Sequence, residues 1–431
     1  MMSDSDAVYL PAVNDGFAAG VIKPLPSGRP FPRGYDLTDL IFWQRGNRLW
    51  HHGEILHSIG LHPFGSAPDN AVTRMGRTDC FILGDCGGFQ IGKGSLSNYD
   101  KLHSGMTADS AIDVWNAAYP VRQWILGWLE THCHYAMTID MPLWATTSAG
   151  EDSPFRQCSV EQLTALTVDN LKFIDSHRQG RTKWLNVVQG LDMASTLDWW
   201  KAVKWFDCAG YALAGGAGTK GGIKDLLNTL LVMRDDGALS AGHDWIHVLG
   251  VSTPKWAILL SSIQRALRST TNPNIRISFD SASPFQTGGR YERVAILPHY
   301  SRRPDAWSMA YDNSPQSVKM VGSQEPFPYS SPLGDILTLG DLNVQGGDWQ
   351  QRSYDSISNL LLINHNVWVF LAAFEEGNRL AFQQPRSSVP SEWGDCLDFI
   401  AMVFSSSDWN AELAGAESLL NSVAPNTYKE Q

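Results

Sequence analysis

Positive charge is scarce in this sequence. Its 431 residues carry 33 Lys and Arg against 44 Asp and Glu, a formal net charge of -11 at pH 7. Phosphate affinity comes from Lys and Arg, so a generic nucleic-acid coat is excluded and any such contact must be a local basic patch. Cysteine is sparse as well. Cys80, Cys86, Cys133, Cys158, Cys208 and Cys396 are scattered without CxxC spacing, which suggests neither a disulfide framework nor a zinc knuckle. No secretory leader, long apolar span, fixed-period repeat or low-complexity tract stands out. The expectation is a soluble protein of a reducing cytoplasm with no membrane contact.

With 43% hydrophobic residues, the chain can bury a large core as one large domain or a domain with an appendage. Its organising stretch is Phe81 to Gly94. Phe81-Ile82-Leu83 reads as a short buried strand that stops at Gly84-Asp85. A carboxylate at the mouth of a buried strand is costly unless it has a task or a partner. Gly87 and Gly88 let the backbone turn tightly and let something flat come close, with Phe89 placed to stack on it. For this segment alone, a strand-end turn with a solvated Asp is an equal reading.

The pattern then recurs. Strand-like runs 134–139, 184–188, 211–214, 245–249 and 275–279 end in Asp140, Gln189-Gly190, Gly215-Gly216, Gly250 and Asp280. Helical stretches lie between them. One runs from about Ala108 to Leu129. One opens at Ser159 with Gln162 set for a capping box, and one has Thr253 as N-cap and Pro254 at its first position. Repeated strand–helix units predict a parallel sheet. Polar and glycine residues at so many strand C-termini favour an α/β fold of the (β/α)8 TIM-like barrel type over a doubly wound sheet. Residues 1–70, rich in Pro and Gly, read as an N-terminal extension packed on the barrel. Residues 71–310 form the barrel core, and 311–431 an insertion loop followed by C-terminal helices over 356–374 and 393–420.

Two rim carboxylates far apart in sequence, Asp85 and Asp280, suit a nucleophile and an acid/base partner. Asp140 and Gln189 are placed to read a heterocycle edge, with backbone N–H groups of Gly215 and Gly216 donating to a carbonyl oxygen. Phe89 and Leu249 are placed to sandwich a flat ring. The set describes a purine-like site better than a sugar-only site.

These segments resemble the motifs of tRNA-guanine transglycosylases. Asp85-Cys86-Gly87-Gly88-Phe89-Gln90 is similar to the family's DSGGFQ, and Val187-Val188-Gln189-Gly190 to its VQG strand end. Tyr211 to Gly216 is similar to its Y-A-(V/I)-G-G turn with one extra residue. His247 to Val251 resembles H-Y-L-M-G-V, and Phe279 to Pro284 resembles FDCVLP. The five matches keep family order from about Phe81 to Arg290. The resemblance implies Asp280 as the nucleophile that forms a covalent nucleoside–enzyme intermediate and Asp85 as general acid/base. It implies base binding by Asp140, Gln189, Gly215, Gly216, Gly88, Phe89 and Leu249, and exchange of guanine for a 7-deazaguanine with retention at the sugar.

The departures are informative. The family's zinc set after the nucleophile is missing, since only Cys396, His299 and His365 remain there; no metal and no cofactor are expected. Met141 and Pro142 follow Asp140 where the family has an acidic residue and a cysteine, and Gln286 replaces an arginine. Together with the acidic balance, these point to the diverged DNA-modifying branch, the DpdA type, of phages and bacterial DNA-modification clusters. The expected partners are DNA and a 7-deazaguanine base, with a homodimer allowed and host cytoplasm as the location if phage-encoded. DNA contact is expected from Lys93, Lys220, Arg290, Arg293, Arg302 and Arg303, each of which has an ordinary solvated charge as its plainer reading. The rivals are a zinc-less tRNA enzyme, a barrel glycoside hydrolase using Asp85 and Asp280, and a catalytically dead binding subunit. Thr131-His132-Cys133-His134 reads as a helix-to-strand connection rather than a metal fragment.

Overall fold

The computed structural model describes residues 5–345 and 353–427. Part of the expected insertion, 346–352, therefore lies outside the described residues. Eight parallel strands, each followed by a helical segment, run around a nearly closed barrel. They are β1 (Val8–Pro11), β2 (Glu54–Ser58), β3 (Phe81–Asp85), β4 (Tyr135–Met137), β5 (Lys183–Gly190), β6 (Gly210–Gly215), β7 (Trp245–Val248) and β8 (Arg276–Ser281). The hydrogen-bonded order is β1-β8-β7-β6-β5-β4-β3-β2. A single parallel bridge, Ala12 to Leu56, joins the two ends.

Two of these strands correct the sequence reading. Residues 1–70 contain β1 and β2, so they are part of the barrel and not only a cover for it. The strands escape notice because they are four and five residues long in a Pro- and Gly-rich stretch, one ending in Pro and the other in His-Ser. The helix expected over 108–129 is two helices, Ala108–Asn116 and Tyr119–His132, with Pro120 early in the second. The capping box of Ser159 and Gln162 and the Thr253 cap ahead of Pro254 form as expected.

Side-chain alternation along the strands divides the barrel into layers. Leu10, Leu56, Leu83, Met137, Leu185, Val187 and Ala212 pack together inside. Below them, at the N-terminal end, Trp245 stacks on Phe81 with centroids 4.8 Å apart, and Arg276 lies over the same indole and pairs with Glu54. Above them, two residues past Leu56, Leu83 and Val187, come Ser58, Asp85 and Gln189, and on β8 Asp280 comes two residues past the buried Ser278. The helix Ser356–Phe382 packs outside the β8–β1 seam, where Phe374 meets both Tyr9 and Phe279. By length and hydropathy it could cross a membrane, but 78% of its apolar window is buried here. It is therefore a core helix, and a long apolar stretch that the sequence reading passed over. A two-stranded antiparallel hairpin, β9 (Arg293–Ile296) and β10 (Ala310–Asn313), follows β8 and packs on this helix.

Candidate active site

Strand register brings the carboxylates to one end. Ser58 and Asp85 are direct neighbours on β2 and β3, and the Ser58 hydroxyl and Gly87 N–H both hydrogen-bond Asp85. Gly87 has φ +80°, and a Cβ there would lie 2.6 Å from the Gly60 Cα. Only glycine allows the two loops to meet so closely and turn the Gly87 N–H toward Asp85. Burial raises the Asp85 pKa, and the nearby Asp280 charge raises it further against those two hydrogen bonds. The Asp280 charge acts on Asp85 from near the end of β8, so the two carboxylates lie at the same end of the barrel.

Asp280 is the penultimate residue of β8 and is 13% exposed at its side chain. Its Oδ1 lies 3.3 Å from His247 Nε2 and accepts from the Gly250 N–H at 3.1 Å. Gly250 has φ +76°, which aims that N–H back at the strand end. His247 and Ser278 are ladder neighbours on β7 and β8, both fully buried, and His247 Nδ1 lies 2.8 Å from Ser278 Oγ.

Asp140 lies beside them. Burial pushes its pKa up to about 7, with the Asp85 charge adding to the effect. Cys86 Sγ approaches Asp140 Oδ1 at 3.7 Å, and a Cβ on Gly88 would stand 3.1 Å from the same oxygen. Gln189 donates to Asp140 Oδ2 at 2.6 Å and to the Met141 carbonyl at 3.1 Å, while its Oε1 accepts from the Leu143 N–H at 3.0 Å. Both amide hydrogens are thus engaged. Gln189 holds Asp140 in place, and its amide is not free to read a ligand edge as the sequence suggests. Gly216 differs from expectation in the same way. Its N–H donates to the Gly190 carbonyl at 2.7 Å because the β5–β6 ladder runs one rung further. Gly215, the last residue of β6, has φ +57° and marks the turn.

The aromatic walls are uneven. Phe89 is 59% exposed and leans on Trp144 with centroids 5.4 Å apart. Lys93 lies over the same indole, 5.5 Å from its centroid. Leu249 is half-buried, its N–H tied to the Leu213 carbonyl at 3.1 Å. Trp144 was not anticipated, and its sequence signal is weak because it lies in a short turn rather than at a strand end. His247 and Ser58 appear only as motif or strand letters in the sequence. Their inward position, two residues from a core-facing neighbour, is the signal that finds them.

The basic residues divide. Arg303 pairs with Asp305, Arg302 donates to the Ser387 carbonyl, and Lys220 accepts at its carbonyl from the Thr427 N–H, which ties these loops to the C-terminal layer. Arg290 and Arg293 have no carboxylate partner among the described residues. Arg293 lines a cavity of about 530 Å3 with Ser283, Gln286, Thr287, Tyr291 and Tyr311, in the segment that follows β8. Arg290 lies over the exposed Tyr291 ring.

No group of three or more His, Cys, Asp or Glu among the described residues is arranged to hold a metal. His365 is buried with one ring nitrogen at Ser331 Oγ and the other at the Ala295 carbonyl, and Cys396 is buried in the core. These residues do not fit a zinc set. His134 accepts from the Ile82 N–H, and Cys133 packs against Gly84, so the His-Cys-His stretch is connection and core. Compared with known proteins, the chain matches no family model, and no curated protein is similar to it at a significant level.

Proposed function

We propose that this protein is a DNA guanine transglycosylase, a base-exchanging pentosyltransferase that replaces guanine in DNA with a 7-deazaguanine. The observation that carries the reading is the meeting of Asp85 and Asp280 at the C-terminal end of one barrel, with Asp140 beside them. Asp280 is the nucleophile. One of its oxygens bonds to C1′ as the C1′–N9 bond breaks, and the pair leaves with the guanine. Asp85, held toward its neutral form by burial, gives the departing base its proton. The incoming base then returns a proton to Asp85 as its nitrogen displaces Asp280. Two displacements at one carbon retain configuration.

Asp140 supplies the acceptor for the base edge, oriented by Gln189, while Gly88 leaves room at its Oδ1. Phe89 and Leu249 flank the ring, and Trp144 with Lys93 extends the outer lip. The base inside a duplex is inaccessible, so the enzyme acts on a flipped or single-stranded guanosine. Arg290 and Arg293 beside the nucleophile supply phosphate contact in an otherwise acidic chain. The motif order from Asp85 to Pro284 supports the family, and the absence of its zinc residues from the sequence supports the DNA branch.

The test is incubation with guanine-containing DNA, in parallel with tRNA, and candidate 7-deazaguanines, followed by mass spectrometry of the nucleosides. Exchange into DNA by wild-type protein and none by Asp280→Asn is expected. Exchange into tRNA alone moves the substrate to RNA. Saccharide hydrolysis with no nucleic-acid adduct would mean a glycoside hydrolase instead.

A further inference from the structure

The hydrogen bonds beneath Asp280 have a forced direction. An indole N–H can only donate, and Trp245 Nε1 donates to Ser278 Oγ at 2.7 Å. The Ser278 hydroxyl must place its own hydrogen elsewhere. Its other side-chain neighbour among the described residues is His247 Nδ1 at 2.8 Å, and Ser278 is fully buried. With Nδ1 accepting, the neutral ring carries its proton on Nε2, 3.3 Å from Asp280 Oδ1. The Gly250 N–H donates to the same oxygen at 3.1 Å. Asp280 Oδ2 has no hydrogen-bond partner among the described residues.

From this we infer that His247 is a positioning residue for the exchange reaction, acting through Asp280. The inference rests on the base-exchange reading. His247 and the Gly250 N–H hold Oδ1, so Oδ2 is the oxygen that forms and later breaks the bond to C1′. Both donors favour the charged carboxylate over the ester. In the first displacement Oδ2 bonds to C1′, the C1′–N9 bond breaks, and the departing base takes the pair and a proton from Asp85. In the second, the incoming nitrogen loses its proton to Asp85 and bonds to C1′, and the C1′–Oδ2 pair returns to Asp280. Donors on Oδ1 make Asp280 a better leaving group in that second step. They keep the covalent intermediate short-lived. A ring that served packing alone would not favour one step over the other.

The experiment follows the covalent adduct on denaturing gels, using single-stranded guanine-containing DNA with and without added 7-deazaguanine base. His247→Phe keeps the ring volume and removes the donor. It is expected to slow adduct release about tenfold to a hundredfold, the loss associated with one charge-assisted hydrogen bond, so that adduct accumulates in the presence of base. His247→Gln keeps an N–H near the Nε2 position and should release within about threefold of wild type. Should His247→Phe not fold, Ser278→Ala removes the group that sets the tautomer and is expected to shift release in the same direction by a smaller factor. Equal slowing of formation and release, or a Gln variant as defective as the Phe one, overturns the inference. No adduct and no exchange by wild-type protein on either DNA or tRNA overturns the base-exchange reading itself, which is a separate result.

Discussion

At the N-terminal end of the barrel interior, charge is matched. Arg276 pairs with Glu54 and lies over Trp245, which stacks on Phe81, and Lys183 lies over Tyr135. At the C-terminal end, charge is opposed. Asp85, Asp140 and Asp280 face one another, and among the described residues no Lys or Arg is paired with any of them. The same strands build both ends: β3 gives Phe81 below and Asp85 above, and β8 gives Arg276 below and Asp280 above. The difference shows where the molecule stores stability and where it spends it. Compensated charge over aromatic rings closes the floor, while at the rim burial and neighbouring carboxylate charge raise the pKa values of Asp85 and Asp140.

The contrast can be broken most sharply at the rim. Asp280→Asn should reduce exchange by at least about 10,000-fold while leaving the urea unfolding midpoint at or above wild type, because it removes a charge from a crowded acidic site. Asp85→Asn should cost about 100- to 10,000-fold in turnover, measured as base incorporation under single-turnover conditions. Asp140→Asn tests the electrostatic cost directly. Its carboxyl holds a proton up to about pH 7 when folded, whereas an ordinary aspartate ionises at about pH 4. The folded state therefore loses stability as pH rises from about 4 through 7, because the unfolded chain ionises more easily. The variant escapes that loss, so its stability advantage should grow by roughly 2–3 kcal/mol between pH 5 and pH 8, read from urea melts. At the floor the signs reverse. Glu54→Ala strands Arg276 and should cost about 1–3 kcal/mol of stability, discounted because both side chains keep some solvent contact, with the rim chemistry little changed. Arg293→Ala is the mildest: weaker DNA binding at all sequences, with a salt dependence shallower by about one phosphate contact in a binding titration.

Legibility in the sequence follows the same division. The rim can be read because an acid, amide or glycine that ends an apolar run is expensive to place there without a purpose, as at Asp85, Asp140, Gln189 and Asp280. The register that makes Ser58 face Asp85, or His247 face Ser278, depends on which strands are neighbours, and the barrel's first two strands are too short and too interrupted to be seen. The roles of Gln189 and Gly216 are misjudged for a related reason. A sequence displays donors, but it does not show that Asp140, Met141 and Gly190 already accept from them. The floor is hidden too: Arg276 and Glu54 are 222 positions apart, and nothing local to either announces the other.

Trp245 belongs to both ends at once. Its ring face covers the floor, and its single N–H begins the sequence of donors that finishes at Asp280. A substitution far below the rim that tilts this indole by a few degrees would therefore disturb the hydrogen bonds that hold Asp280 Oδ1. On the base-exchange reading, repacking the base of this barrel for sturdiness alone therefore also alters the setting of the carboxylate at its rim.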